Sequence, residues 1–135
     1  MGQAHNISLA QDFLASLAEG RSPEDVAALF TENALFEIPG DDGVLPWIGH
    51  RSGREAVVDF VTNTRGMTEL LTFEVKDVMA SDARAVIVGE LASRIKLTEK
   101  VVETAFAIVL TISGGRIMRF QMLEDSFAVS LAARA

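Results

Sequence analysis

The sequence of 135 residues contains no cysteine, so neither a disulfide framework nor a cysteine-ligated zinc site can form. No apolar run approaches the ~18 residues that a membrane span requires, and the first residues lack the basic and apolar pattern of a signal peptide. Basic residues are outnumbered, with 12 Lys and Arg against 19 Asp and Glu and a net charge of −7. This charge disfavours nucleic acid and anionic membranes as partners. We therefore expect a cytoplasmic protein that binds neither.

Patterns for metals, nucleotides and covalent catalysis are also missing. The two histidines, His5 and His50, are far apart, and no HxxxH or DxD pattern accompanies them, so we predict no metal site. GxGxxG, P-loop and GxSxG motifs are absent, and we expect no cofactor. What remains is a globular composition, 49% hydrophobic and 23% charged, that suits one domain over residues 1–135.

The spacing of apolar residues predicts two helices, a strand, a third helix and then four strands. The first helix is expected to begin at a capping box on Ser8 and to end at Gly20, and the second to begin at Ser22-Pro23. The third is expected to begin at a capping box on Ser52. The predicted strands are 35–38, 70–79, 84–96, 100–112 and 115–125. Consecutive hairpins behind a group of helices predict an α+β fold with helices on one face of an antiparallel sheet.

The predicted strand 100–112 is apolar on both faces. One parity carries Phe106, Ile108 and Leu110, and the other carries Ala105, Ala107 and Val109. A strand with one solvated face should alternate between apolar and polar residues, and the helices can cover only one face. We therefore predict a homodimer that pairs through the outer face of the sheet.

Four segments together resemble one known family. They are Phe30–Pro39, then Pro46–Gly49 with the Gly-Arg start of the third helix, then Gly115–Ile117, and finally Glu124-Asp125. In this order they resemble the nuclear transport factor 2-like (NTF2-like) superfamily, in its SnoaL-like and ketosteroid-isomerase-like branch, over residues 8–127. The resemblance implies a cone: a curved antiparallel sheet wrapped around three N-terminal helices, as in cystatin-like folds. It also implies an apolar pocket for a small apolar ligand.

The sequence departs from the ketosteroid isomerase pattern at each catalytic position. Ile38 stands where the resemblance would place the base, and no tyrosine exists to donate to an oxyanion. Ala105, Ala107 and Val109 occupy the strand where a protonated Asp would be expected. We therefore predict that the protein is not a ketosteroid isomerase of the known mechanism.

Charged residues on the predicted strands supply a candidate catalytic set. Pairing the hairpin about its turn at 97–99 sets Arg94 opposite Glu103 and leaves Glu90 on the same face, which the resemblance assigns to the pocket. The same comparison points Glu124 inward from the last strand. A carboxyl in an apolar wall and another beside Arg would differ in pKa and could act as acid and base. The alternatives are an ordinary cross-strand ion pair and a solvated strand end.

Other residues are expected to line the pocket. Trp47, the single tryptophan, lies in a long loop before the third helix and would close over a ligand or plug the core. His50 has a suitable ordinary pKa for proton transfer but could equally be an exposed loop residue. The predicted pocket residues are Phe13, Leu17, Trp47, His50, Phe60, Ala105, Phe120 and Met122.

Three functional hypotheses follow. The first is cofactor-free acid–base chemistry, such as isomerisation, cyclisation or hydration, on an apolar ring-like substrate. The second is a non-catalytic ligand-binding or dimerisation module, and the third is an accessory subunit of a larger enzyme.

Overall fold

Four helices and six strands make up residues 2–135, the part of the chain that the computed structural model describes. The helices are α1 (Gln3–Ala18), α2 (Pro23–Ala27), α3 (Arg54–Met67) and α4 (Ser126–Ala133). The strands are β1 (Phe30–Ile38), β2 (Gly49–Ser52), β3 (Thr68–Ala80), β4 (Arg84–Ile95), β5 (Lys100–Ser113) and β6 (Arg116–Glu124). In residues 2–135 no helix combines the length and apolarity needed to cross a bilayer.

The six strands form one curved, unclosed sheet with the order β2-β1-β6-β5-β4-β3. All neighbouring strands are antiparallel except β1 and β6, which run parallel. The predicted α+β class is confirmed. β3 forms one edge of the sheet. The helices lie against the inner face of the sheet, where the core residues of β4, β5 and β6 are buried.

Several helix boundaries differ from the predictions. Helix α1 begins at Gln3, so Ser8 lies exposed inside the helix and does not cap it. Ser22 does cap α2, accepting a hydrogen bond from the backbone N–H of Asp25 at 3.1 Å. Helix α3 begins after Gly53 with no side-chain cap, so the predicted capping box on Ser52 is wrong. The strand β2 and the helix α4 were not predicted.

The pairing of β4 with β5 differs from the predicted pairing by two residues. Arg94 lies opposite Val101, and Glu103 lies opposite Ala92. The turn is closed by a hydrogen bond of 2.7 Å from the N–H of Glu99, in the left-handed region at φ 62°, to the carbonyl of Ile95. The turn therefore spans residues 96–99, one residue earlier than predicted. Because the difference is an even number of residues, it leaves every side chain on the same face.

Five phenylalanines form the centre of the core. The rings of Phe36 on β1 and Phe120 on β6 are stacked, with centroids 4.3 Å apart. The rings of Phe13 on α1, Phe30 on β1 and Phe60 on α3 pack around Phe120, with ring centroids 5.7–6.4 Å from that of Phe120. Each fully buried phenylalanine contributes about 1.5–3 kcal/mol of hydrophobic free energy. The cluster thus fixes α1 and α3 against the middle of the sheet.

The Gly-Arg start of α3 has a clear structural role. Gly53 adopts φ 89°, a conformation that favours glycine, and its N–H donates to the carbonyl of Ala34 at 2.8 Å. Arg54 then donates from Nε and Nη2 to the carbonyl oxygen of Phe30 at 3.0 and 2.8 Å. These bonds attach the beginning of α3 to β1 and set its position over the sheet.

Candidate functional site

A cavity of about 440 Å³ lies between the inner face of the sheet and the helices. Its walls come from α1, α3, α4, the loop 39–48 and the inner positions of β3 to β6, and they are mostly apolar. Residues that define its extent include Leu17, Leu45, Trp47, Phe60, Leu70, Phe73, Ile108, Phe120, Met122 and Val129. An apolar cavity with few polar groups is the usual form of a small-molecule site.

Glu124 is the one carboxyl among the described residues that line this cavity. It is the last residue of β6, paired with Phe106 on β5. Burial raises the pKa of Glu124 to about 7, and the neighbouring charge of Asp125 acts in the same direction. At neutral pH the carboxyl is therefore divided between its protonated and ionised forms.

The backbone next to Glu124 is held at the junction of β6 and α4. The N–H of Asp125 donates to Oγ1 of Thr104 at 2.8 Å, and this buried hydroxyl donates to the carbonyl of Ala105 at 2.6 Å. The Asp125 side chain accepts from the N–H of Ala128 at 3.0 Å and caps α4. Glu124 thus sits between two anchored segments, which limits the movement of its main chain.

Helix α4 and the loop 39–48 together close one part of the cavity wall. Asp41 in the loop accepts hydrogen bonds from Oγ of Ser130 at 2.6 Å and from Nη2 of Arg134. These bonds, the one from Ser130 foremost, hold the pKa of Asp41 below its ordinary value. Val129 on the same helix and Trp47 on the same loop both line the cavity. The signal for α4 was present in the sequence, because Asp125 is a typical N-cap before an apolar segment.

The structure places the predicted site residues in two groups. One group lines the cavity and comprises Phe13, Leu17, Trp47, Phe60, Phe120, Met122 and Glu124. The other group lies outside it and comprises His50, Glu90, Arg94, Glu103 and Ala105. Sequence reasoning missed the contribution of β3, from which Leu70 and Phe73 line the cavity.

Glu90, Arg94 and Glu103 lie on the outer face of the sheet, so the expectation that they face the pocket is corrected. The inner positions of β4 carry bulky apolar residues such as Ile87 and Ile95, which are buried. The charged parity must then face outward, because side chains alternate along a strand. Arg94 pairs there with Glu69 of β3, and Glu90 lies 3.3 Å from Nζ of Lys76.

Ala105 shares this outer parity. It lies opposite Glu90, and its neighbours Thr104 and Phe106 are the buried residues. The predicted placement of Ala105 in the pocket is therefore wrong for the same reason.

His50 belongs to a polar cluster at the opposite edge of the sheet. It lies on β2, and its Nδ1 is 3.3 Å from Oε2 of Glu37. Nε and Nη2 of Arg119 contact Oε1 of Glu37 at 2.8 and 2.7 Å. Burial acts to raise the pKa of Glu37, but the hydrogen bonds and charges of Arg119 and His50 outweigh it and lower the pKa. His50 is largely exposed here and does not line the cavity.

The remaining polar side chains at the cavity are occupied by backbone partners. Thr64 donates to the carbonyl of Phe60, Thr68 to that of Thr64, and Ser93 to that of Glu69, at 2.6–3.4 Å. Arg65, a cation that also lines the cavity, donates from Nη1 to the carbonyl of Arg21 at 2.6 Å. Within residues 2–135, no group of three His, Asp or Glu side chains has the arrangement of a metal site. Among the described residues, Glu124 is therefore the acidic group of the cavity lining, and Arg65 is its cationic group.

Comparison with known families identifies the fold. The SnoaL-like domain model matches residues 10–120, which is most of the chain. The chain belongs to the SnoaL-like domain family. The resemblance predicted from the four sequence segments is therefore confirmed. No curated protein sequence matches the chain significantly.

Solved structures agree with this assignment. An NTF2-like protein from Burkholderia xenovorans superposes with a TM-score of 0.89 at 22% identity, over 99% of each chain. A Mesorhizobium loti protein, provisionally assigned as a SnoaL-like polyketide cyclase, has a TM-score of 0.70 at 14% identity, over 86% of this chain and 96% of that one.

A ketosteroid isomerase-like fold from Catenulispora acidiphila, solved with trimethylamine, has a TM-score of 0.68 at 18% identity, over 85% and 83% of the two chains. At these identities the three similarities establish the fold alone.

Proposed function

We propose that this SnoaL-like protein binds a small, neutral, largely apolar molecule in the cavity and that Glu124 transfers a proton to or from it. The observation that carries the proposal is the position of Glu124, a carboxyl with a pKa of about 7 in an apolar wall. A group with a pKa near the working pH is available both as acid and as base. Trp47, Phe60, Phe120 and Met122 would contact the apolar body of the ligand.

The chemistry that suits this arrangement is isomerisation, cyclisation or hydration without a cofactor. The ionised Glu124 would remove a proton from the ligand and return it at another position, while the apolar walls exclude water. The neighbour from Mesorhizobium loti supports the cyclase alternative and the neighbour solved with trimethylamine supports small-molecule binding, both by fold similarity only.

The experiment has a binding arm and a proton-transfer arm. A panel of steroid, terpene and aromatic polyketide ligands is titrated while the fluorescence of the single tryptophan is followed. Each ligand that binds is then incubated with the protein in D2O, and the exchange of its acidic C–H positions is measured by NMR. We expect Glu124→Gln to slow this exchange by about 10²–10⁴-fold with binding retained. Equal exchange by the variant and the wild type would refute the role of Glu124.

A second candidate function is ligand binding without catalysis. It is favoured because backbone carbonyls occupy the Ser and Thr hydroxyls at the cavity. Arg94 lies on the outer face, and within residues 2–135 Glu124 forms no ion pair. Saturable binding combined with no proton exchange at any pH would select this alternative.

We also propose that two copies of the chain pair through the outer face of β4, β5 and β6. The centre of that face is made of small and branched apolar side chains, including Val88, Ala107, Val109 and the exposed Leu123. Charged side chains border it at both ends. Glu90, Glu103 and Arg94 lie at one end, where Glu90 contacts Lys76. Arg84 and Arg119 lie beside Thr111 at the other end, where Arg119 contacts Glu37. A two-fold axis through the apolar centre would bury it against the same residues of the partner copy.

Light scattering coupled to gel filtration tests the dimer. The wild type should have twice the 14.6 kDa mass of one chain. Ala107→Arg, which places a charge in the centre of the face, should give a monomer, whereas Leu97→Arg on the exposed β4–β5 turn should not. A monomeric wild type at tens of micromolar would overturn the proposal.

A further inference from the structure

Among the polar side chains of residues 2–135 that line the cavity, Glu124 and Trp47 have no hydrogen-bond partner. Thr64, Thr68 and Ser93 all donate to backbone carbonyls, as described above. The carboxyl of Glu124 and the indole N–H of Trp47 form no hydrogen bond with any side chain or backbone group in residues 2–135. Glu124 and Trp47 therefore keep unpaired polar groups that a ligand can satisfy.

The indole N–H of Trp47 opens onto accessible space. Trp47 is 9% exposed and lines the cavity. In residues 2–135, no side-chain nitrogen or oxygen is both enclosed and without a partner, so the unpaired indole nitrogen cannot be sealed inside the core. A tryptophan buried to this extent usually finds an acceptor for its N–H, and here residues 2–135 supply none.

We propose that the indole N–H of Trp47 donates a hydrogen bond to a carbonyl oxygen of the ligand, so that the cavity selects neutral ketones, aldehydes or esters over hydrocarbons of the same shape. This inference rests on the proposed function, because it requires a ligand in the cavity. The inference identifies the indole N–H as the group that binds the polar atom of the ligand. Trp47 would then determine specificity as well as form part of the apolar wall.

The physical reason is the cost of leaving a donor unpaired. A hydrocarbon in the cavity would displace the water that the N–H can bind in the empty protein and would offer no acceptor in return. A carbonyl compound would replace that hydrogen bond.

A pair of ligands with the same shape tests the proposal. 2-Acetylnaphthalene carries a carbonyl oxygen where 2-isopropenylnaphthalene carries a methylene group, so the two differ in the acceptor alone. Affinities are measured by calorimetry, and the indole N–H is followed by NMR. Since the chain has one tryptophan, a protein labelled with ¹⁵N at tryptophan gives one indole resonance.

We expect the ketone to bind about three- to tenfold more tightly than the olefin, the usual range for one net hydrogen bond. The ketone should also move the indole proton resonance downfield, and the olefin serves as the control for ring-current effects. Trp47→Phe should abolish the preference while keeping the affinity for the olefin within a few-fold.

A second substitution keeps the shape of the side chain in case Trp47→Phe disturbs the fold. Growth on the benzothiophene analogue of tryptophan replaces the N–H with sulfur at this one position. Equal affinity for the two ligands in the wild type, or a preference that survives loss of the N–H, would overturn the inference while leaving the proposed function intact. Binding of neither these two ligands nor any of the wider panel would overturn both.

Discussion

Replacing Glu124 with Gln should change how the stability of the protein depends on pH. In the unfolded chain the carboxyl titrates near its ordinary pKa of 4.5, whereas burial raises the pKa in the folded protein to about 7. Between these values the folded state binds more protons than the unfolded state. The free energy of unfolding of the wild type therefore falls as pH rises from about 4.5 through about 7. Glu124→Gln lacks this titration.

The size of the effect follows from the two pKa values. Each pH unit by which a pKa moves on folding corresponds to about 1.4 kcal/mol. The difference between 4.5 and about 7 amounts to about 3 kcal/mol. Ionisation of the wild-type carboxyl does not lower the free energy of unfolding below pH 4.5 and lowers it fully above pH 7. Relative to the wild type, the free energy of unfolding of Glu124→Gln should therefore rise by about 3 kcal/mol across this interval.

Urea denaturation followed by circular dichroism between about pH 4.5 and pH 8 measures this difference. Subtracting the wild-type curve from that of Glu124→Gln cancels the titration of every other group. Glu103→Gln, which removes an exposed carboxyl from the outer face, controls for the loss of one negative charge. A difference between Glu124→Gln and wild type that stays constant with pH would refute the reasoning, and with it the basis for acid–base chemistry at Glu124.

Three further predictions concern core packing, strand contacts and the hydrogen bonds that hold α4. Phe120→Ala should lower the free energy of unfolding by about 3–5 kcal/mol, measured by urea denaturation, because Phe120 lies at the centre of the aromatic cluster. Gly89→Ala should destabilise by about 1–3 kcal/mol, since its methyl group would lie 2.1 Å from the carbonyl oxygen of Glu74. Gly66→Ala is the matched control and should not destabilise the protein: in residues 2–135, apart from its chain neighbours and the backbone of its own helix, no atom lies within 4 Å of the added methyl group. Asp41→Asn should accelerate amide hydrogen exchange in α4. Unchanged exchange would mean that the hydrogen bonds from Ser130 and Arg134 to Asp41 do not hold α4 in place.

Element types and the family could be predicted from the sequence because their signals are local. The switch from helical to alternating spacing after α3 placed β3 to β6 within three residues of their ends. The boundaries of α1 and α3 were missed because cap-like residues such as Ser8 and Ser52 also occur where no cap forms.

The site was harder to predict because it depends on which face of each strand is buried. Along β5 the bulky residues Phe106, Ile108 and Leu110 share a parity, and this parity is the buried one. That pattern places Glu103 on the outside, whereas the family resemblance implies that Glu103 faces the pocket. Glu124 was placed correctly on the inner side of β6, although its raised pKa depends on surrounding walls that a single strand does not reveal.

The aromatic core and the carboxyl of the cavity come from different parts of the sequence. The family match covers residues 10–120, whereas Glu124 and the helix α4 come after it. The last dozen residues thus contribute the titrating carboxyl, the cap of α4 and a section of the wall, while the aromatic cluster belongs to the matched region. Exchange of this C-terminal segment between family members would therefore replace the cavity carboxyl and part of the wall while the aromatic cluster stays unchanged.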